Sequence, residues 1–529
     1  MYTSIRIFTV IVSAFIWVLA ACSADPAYAI TQTPSDIDIS TTVFTSPVSQ
    51  TARELAAISP EQTQGDPPVP SIFYDCEDVQ VEAPVTRHTI IADLNVTDHV
   101  VTIQQTIHYI NTEAVSLDQL ILNIEPNRWN NVFSLNRARI GVTDLEASLD
   151  GKRLTLTLPE PLVPNCEATV ILEYRLDLPL IGEGIYASYG YFGYTNRQLN
   201  LGHWLATVAP RRNEQWISRQ SFLVGEQDVL DQADWDVTLS LIGAGENLTI
   251  AAPGTVTQLN EHTYRFVHRD ARDFALSMSD SFNIISAQSE NNITVEVYSF
   301  SDAIVNVNGQ SFDTAQIALE TAVHAVETYS DLFGEYPYER LVIVQGDFPD
   351  GMEFSGLAYV GGNWFVRYPG NPASYLVLIT AHEVAHQWWY GRTGNDSAST
   401  PWLDEAFATY SEYIFLEEHY PDLRDWWWQF RVNNFSPLGD VDSTVYEFGT
   451  ARDYINAVYL RGALMLHAIR QTIGTEDFFD LLNTYADVSN GQIADAQSFW
   501  SLMTEDQLAL TQAIRTMFLE SPNVISVGG

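Results

Sequence analysis

The sequence predicts a multidomain chain in which an all-β domain precedes a mainly helical α+β domain. Three observations carry this reading. The chain has 529 residues, more than one compact core usually holds. From Ser71 to about Asn292 its apolar residues alternate at period two between Gly, Asn, Asp and Pro. From about Thr294 they recur at helical spacing instead.

Taken in order, residues 1–22 read as a signal peptide. Arg6 precedes an apolar run from Ile7 to Ala21, short for a membrane span and suited to a secretory leader. Its end, Leu19-Ala20-Ala21-Cys22, resembles a bacterial lipobox, which implies cleavage before Cys22 and a lipid on its sulfur. The alternative is ordinary cleavage after Ala27-Tyr28-Ala29. Either route exports the chain, to a cell-surface or periplasmic membrane or into the medium. Residues 23–70 are rich in Ser, Thr, Pro, Ala and Gln, the composition of a flexible linker. Residues 71–292 form the β domain, with "HTIIADLNV", "HVVTIQQTIHYIN", "RLTLTL", "ATVILEYRLDL", "WDVTLSLIG" and "TYRFVH" as strands. Residues 293–521 form the second domain. There "TAQIALETAVHAVETYSDLFG" reads as a helix ending at Gly334, followed by strands "RLVIVQGDF" and "GLAYVGG" and then further helices.

Composition excludes several classes of function. Hydrophobic residues make up 46% and charged residues 17%, which is globular. The net charge of −42 comes from scarce bases, 25 Lys+Arg against 67 Asp+Glu, and Lys152 is the single lysine. Nothing is available to neutralise phosphates, so nucleic acid is not a partner. There is no Gly-rich phosphate loop, no G-x-S-x-G nucleophile elbow and no cysteine-based metal motif. Cys76 and Cys166 can form a disulfide in an oxidising compartment.

The segment "ITAHEVAHQWWYG" carries the chemistry. It reads as a helix from Tyr375 to Tyr390. His382 and His386, four apart, lie on one face and can aim both imidazoles at one cation. Glu383 projects near the same point, where it can take a proton from a water. Downstream, "STPWLDEAFATYSEYIFLEEHY" reads as a second helix, with Thr400 as cap and Pro401 in its first turn. Glu405 lies in that first turn and can supply a third ligand if the helix packs antiparallel to the first. Glu412, two turns further on the same face, can hydrogen-bond the outer nitrogen of a ligand histidine. The aromatic residues Trp388, Trp389 and "DWWWQF" read as core. So do His203 and Trp204, with an approach to the cleft as the alternative.

At this point the chain resembles the M1 (aminopeptidase N-like) zinc metallopeptidases. HExxH, the segment "WLDEAFA", "DGMEFSGLAYV" in place of G-x-M-E-N, and "AVYLRGALMLHAIRQTIG" occur in that family's order, over roughly residues 75–500. The resemblance implies a saddle-like β domain followed by a thermolysin-like zinc peptidase domain. It implies one Zn²⁺ per chain on His382, His386 and Glu405, with Glu383 as base and Tyr459 as oxyanion donor. It implies peptide substrates with a free N-terminus, whose ammonium meets Glu353 while the backbone of Gly351 and Met352 runs alongside. There are departures. Phe354 replaces the motif's Asn, Asp350 precedes Gly351, Asp404-Glu405-Ala406 replaces N-E-G, and Tyr459-Leu460-Arg461-Gly462 replaces Y-x-K-G. The chain ends soon after Gly462, which implies that the family's large C-terminal helical domain is missing and the cleft more open.

The first expectation is therefore an exported zinc aminopeptidase, held at a membrane surface if Cys22 carries a lipid. The alternatives are a zinc endopeptidase or oligopeptidase, should Phe354 and Asp350 reflect a lost amine pocket, and a catalytically silent peptide-binding lipoprotein.

Overall fold

Strict alternation builds the first half. Thr86–Asn95 and Val100–Ile110 turn every second side chain inward, and Ile90, Ala92, Leu94, Val101 and Ile107 are fully covered. The computed structural model describes residues 73–76, 86–182 and 189–522. The leader, Cys22 and the linker lie outside the described residues. The two strands pair antiparallel, and Val100–Ile110 then pairs with Glu167–Asp177. They are the centre of a nine-stranded sheet. Phe133–Ile140 and Thr143–Asp144 extend one side, and Ala233–Ile242, Thr263–Ala271 and Thr255–Asn260 the other. Tyr74–Asp75 joins beside Glu167–Asp177, where Cys76 is disulfide-bonded to Cys166. Ala233–Ile242 runs parallel to Thr86–Asn95. The chain therefore makes a long excursion before it, and the loop at 217–232 belongs to that excursion.

The second half holds a five-stranded mixed sheet in the order Asn283–Gln288, Thr294–Ser299, Arg340–Gly346, Leu357–Gly361, Met352–Phe354. Its first strand begins ahead of residue 293, where the texture of the sequence changes, because Asn283–Gln288 alternates like the strands before it while pairing with Thr294–Ser299. The Thr314–Phe333 helix starts at Asp313, whose carboxylate accepts the N–H groups of Ala315 and Gln316, both at 3.1 Å. It stops at Gly334 (φ 96°), as the sequence predicts. The helices Tyr375–Ala385, Trp402–His419, Arg461–Ile473 and Thr475–Val488 follow. No helix among the described residues is long and apolar enough to cross a membrane.

Two local expectations are corrected. The Tyr375 helix ends at Ala385 rather than Tyr390. Beyond it Gly391, Arg392 and Thr393 donate to carbonyls five residues back, and Tyr390 takes φ 153°. Thr400 does not cap the next helix, because its hydroxyl donates to Asp396 O (3.2 Å) and Pro401 occupies the cap position.

Arg272 ties the halves together. Its guanidinium is 1% exposed and donates to four carbonyls: Tyr390, Leu230 (2.7 Å), Arg392 (3.2 Å) and Gln492 (2.9 Å). Arg272→Met would remove the Arg272 donor from the Tyr390 and Leu230 carbonyls, while Arg392 O and Gln492 O would keep only Gly491 N and Gly394 N. We expect a loss of about 3 kcal/mol or more, read as a lower urea midpoint with unchanged m. An unchanged midpoint would contradict this role.

Candidate metal centre

Ser374 starts the first site helix by accepting the N–H of Val377. His382 lies in its last turn and His386 at its C-cap, and their Nε2 atoms are 3.1 Å apart. Glu405, in the first turn of the Trp402–His419 helix, brings Oε2 to 3.3 Å from His382 Nε2 and 3.5 Å from His386 Nε2. All three residues are buried, and Glu405 Oε2 has no hydrogen-bond partner.

This donor set fits a zinc ion. Ligands at about 2.1 Å from a tetrahedral ion stand about 3.4 Å from one another, and these atoms are already so spaced. Each histidine's outer nitrogen is occupied, which leaves Nε2 for a metal. His382 Nδ1 pairs with Glu412 Oε1 (3.1 Å), and His386 Nδ1 with the carbonyl of Trp389 (3.0 Å). The second contact uses the turn that ends the helix early. Burial disfavours charge on these imidazoles, yet Glu405 and Glu412 raise His382 to about 9, and Glu353 and Glu405 keep His386 well above its usual value. The surroundings favour positive charge at this point.

Glu412 is fully buried and anchors the arrangement. Arg431 donates to both of its oxygens (3.0 Å each), and Trp427 Nε1 donates to Oε2 (3.1 Å). Burial alone would raise its pKa, but Arg431 and His382 hold it below the usual value. Trp427, read from sequence as core, is core and also a donor to this carboxylate.

Glu383 lies beside the histidines with Oε2 unpartnered. Burial, assisted by Glu353 and Glu405, raises its carboxyl well above the usual range. Gly351 is packed against it. A Cβ at Gly351 would stand 1.9 Å from Glu383 Oε1, so a side chain there would push that carboxylate aside.

Glu353 is the middle residue of the sheet's edge strand, Met352–Phe354, and is 6% exposed. Burial raises its pKa, while His386 opposes the rise. Four hydrogen bonds fix this strand against the metal-site turn and the β domain. Gln387 accepts from Gly356 N (2.8 Å) and donates to Phe354 O (3.1 Å). Ser355 N donates to Asp273 (3.0 Å), and Arg272 N to Ser355 Oγ (3.1 Å). Strand alternation puts Met352 and Phe354 on the face opposite Glu353. Phe354 packs there on Tyr191, His203 and Tyr359 with centroids 5.8, 4.8 and 6.1 Å away. This departure from the motif is therefore a packing change, and the carboxylate keeps its place. Met352 can face the cleft only through its backbone. His203 lies behind the strand, and Trp204 is core, donating to Phe274 O (3.0 Å).

Tyr459 stands in a π-helical turn, Ile455–Leu460. Its hydroxyl donates to Glu405 Oε1, and its ring lies parallel to His382 at 6.0 Å. The wider turn brings residues five apart onto one face, which puts Tyr454 edge-on against Tyr459 at 5.4 Å.

The sequence reading missed Glu226. It sits half-buried in the β-domain loop "VGEQDVLDQ", close enough for Glu353 and Glu405, after burial, to raise its pKa strongly. No motif surrounds it, and only folding brings it here.

Glu412→Ala should lower zinc affinity about 10- to 100-fold, measured by competition with a chromogenic chelator. Retention equal to the parent protein would remove Glu412 from the site's support.

Residues 317–520 match the Peptidase family M1 domain. Human endoplasmic reticulum aminopeptidase 1 is 24% identical over 372 residues, 66% of this chain and 38% of that protein. Aminopeptidase N of Lactococcus lactis subsp. lactis is 26% identical over 259 residues, 45% of this chain and 29% of that protein. The chain thus spans well under half the length of these curated relatives. An M1 zinc metallopeptidase from Deinococcus radiodurans superposes with TM-score 0.60 at 18% identity, covering 84% of this chain and 96% of that one. A point mutant of that metallopeptidase, solved with a Tyr-Ser-Ala substrate, superposes with TM-score 0.58 at 17% identity, covering 82% of this chain and 94% of that one. These structures share the same order, a β-rich domain followed by a mostly helical one. The matched domain, the related sequences and the shared fold agree: residues 317–520 are similar to the Peptidase family M1 domain, and the chain shares its two-domain fold with M1 zinc metallopeptidases.

Proposed function

We propose that this protein is an exported zinc aminopeptidase that removes the N-terminal residue of peptides. The observation that carries the reading is the position of Glu353 on the sheet's edge strand beside the His382–His386–Glu405 cluster, with Glu226 close enough to feel the Glu353 carboxylate. Two carboxylates there can hold a substrate's α-ammonium, which sets the scissile bond one residue in. The edge strand offers its free backbone to an extended peptide. Phe354 packs behind the strand and leaves this pocket undisturbed, which favours the aminopeptidase over the endopeptidase alternative.

His382, His386 and Glu405 would hold the zinc, which supplies Lewis acidity toward a water and a carbonyl. Glu383, with its raised pKa, takes the proton of the attacking water and returns it to the leaving amine. Gly351 leaves room for that carboxylate to turn between the two positions. The phenol of Tyr459, beside Glu405, donates to the negative charge developing on the carbonyl oxygen, a contribution of about 3 kcal/mol in comparable sites. The reading includes export. The Cys76–Cys166 disulfide suits an oxidising compartment, and a lipid on Cys22 would hold the protein at a membrane surface.

The test is a panel of aminoacyl-4-nitroanilides beside their N-acetylated twins. We expect cleavage of the free-amine set only, reduced about 10³-fold by Glu383→Ala. Cleavage of the acetylated set would move the assignment to an endopeptidase. Turnover of neither set by the zinc-loaded protein would favour a silent peptide binder. Glu353→Gln should lower kcat/KM for free-amine substrates by about 10- to 100-fold and leave zinc content unchanged.

A further inference from the structure

The single lysine of the chain is one of its most deeply buried charges. Lys152 is 1% exposed, in the turn between the strands Glu146–Asp150 and Arg153–Leu162. Its ammonium stands 2.6 Å from Glu125 Oε2 and 3.2 Å from Asp228 Oδ1. Arg128 pairs with Glu125 from the other side, and His203 Nε2 is 3.9 Å from Asp228 Oδ2. Asp228 follows Glu226 by two residues in the same loop.

That loop needs restraint. It brings Glu226 toward Glu353 and Glu405, carboxylates that repel it. Between Gln215–Trp216 and Ala233–Ile242 it has no strand ladder. Gly225 (φ 66°) touches the catalytic domain so closely that a Cβ there would stand 2.6 Å from Val445 Cγ1 and 3.0 Å from Tyr454. Gln227 closes the turn on itself by accepting from Phe222 N (2.9 Å) and donating to Val224 O (3.0 Å). Leu230 O is held by Arg272. Among these tethers Lys152–Asp228 is the buried ion pair nearest Glu226, and it anchors the loop to the β-domain sheet. A buried ammonium that loses its partner, or a buried carboxylate that loses its ammonium, must find solvent, and the loop is the part able to move.

We propose that Lys152 and Asp228 form a positioning pair that holds the Glu226 loop against the substrate-amine pocket. The pair touches neither substrate nor metal and acts through Glu226. This inference rests on the aminopeptidase reading for its kinetic consequence, but not for its structural one.

The experiment uses the full zinc-loaded protein with Lys152→Met, Asp228→Asn, Glu226→Gln and the Lys152→Met/Glu226→Gln double variant. Asp228→Asn keeps the side-chain shape and serves if Lys152→Met folds poorly. Two readouts are taken: KM and kcat on leucine 4-nitroanilide, and amide hydrogen exchange over residues 217–232. We expect Lys152→Met and Asp228→Asn to raise KM roughly tenfold with kcat within about twofold. Exchange in the loop should quicken, and the double variant should show no KM rise beyond Glu226→Gln alone. Unchanged exchange in both charge variants would overturn the proposal. So would additive effects in the double variant, or a fall in kcat with KM preserved. If the parent protein spares the free-amine anilide and cleaves its acetylated twin, the aminopeptidase reading fails, and loop exchange alone then decides the positioning role.

Discussion

The structure depends on bringing acids together away from water. Glu353, Glu383, Glu405 and Glu412 crowd around two imidazoles with Glu226 close to Glu353 and Glu405, and burial together with neighbouring acids raises Glu226, Glu353 and Glu383. Such a cluster persists only if positive charge is delivered to it. The chain has few bases to use. Arg431 is committed to Glu412, Lys152 to Glu125 and Asp228, and Arg128 to Glu125. That leaves His382, His386 and Glu405 with an unmet demand for a cation, which zinc satisfies. The strong overall acidity is thus not evenly distributed, and it is locally organised by a handful of buried bases.

The β domain is part of this arrangement rather than an appendage. Arg272 and Asp273 leave one of its strands and bond the metal-site turn and the Glu353 strand, respectively. Tyr390, in the same turn, donates to Asp273. Gln387, one residue past the second histidine, holds the Glu353 strand directly. A displacement of the β domain would therefore move the edge strand and the histidines relative to one another. Precision at the centre comes from this cross-bonding, since each element alone has several ways to pack.

Irregular backbone occurs where function needs it. The helix carrying the histidines unwinds at once after His386, which frees the Trp389 carbonyl for His386 Nδ1. The π-helical turn at Ile455–Leu460 aims Tyr459 at Glu405 and sets Tyr454 edge-on beside it. A continuous α-helix would separate those two tyrosines around the axis. Both departures place a polar group where a regular helix could not.

Apart from Glu405, which entered through the family resemblance, the sequence by itself determined the order of a β domain and a helical domain, the helix that ends at Gly334, and the grouping of His382, Glu383 and His386. These are local facts: strand alternation, helical period and four-residue spacing act within a few turns of chain. It also pointed to Glu412, because two turns along one helix keep a residue on the same face. Only the tertiary structure decided the rest. It brought Glu226 to the site from a loop without a motif, turned Phe354 away from the cleft, gave Trp427 a carboxylate to hold, and buried Lys152. It also ended the metal-site helix at Ala385 and passed over Thr400 as a cap, since competing hydrogen bonds were available nearby. Each of these depends on contacts between segments distant in the chain, and neither period nor spacing records which distant segment a side chain will meet.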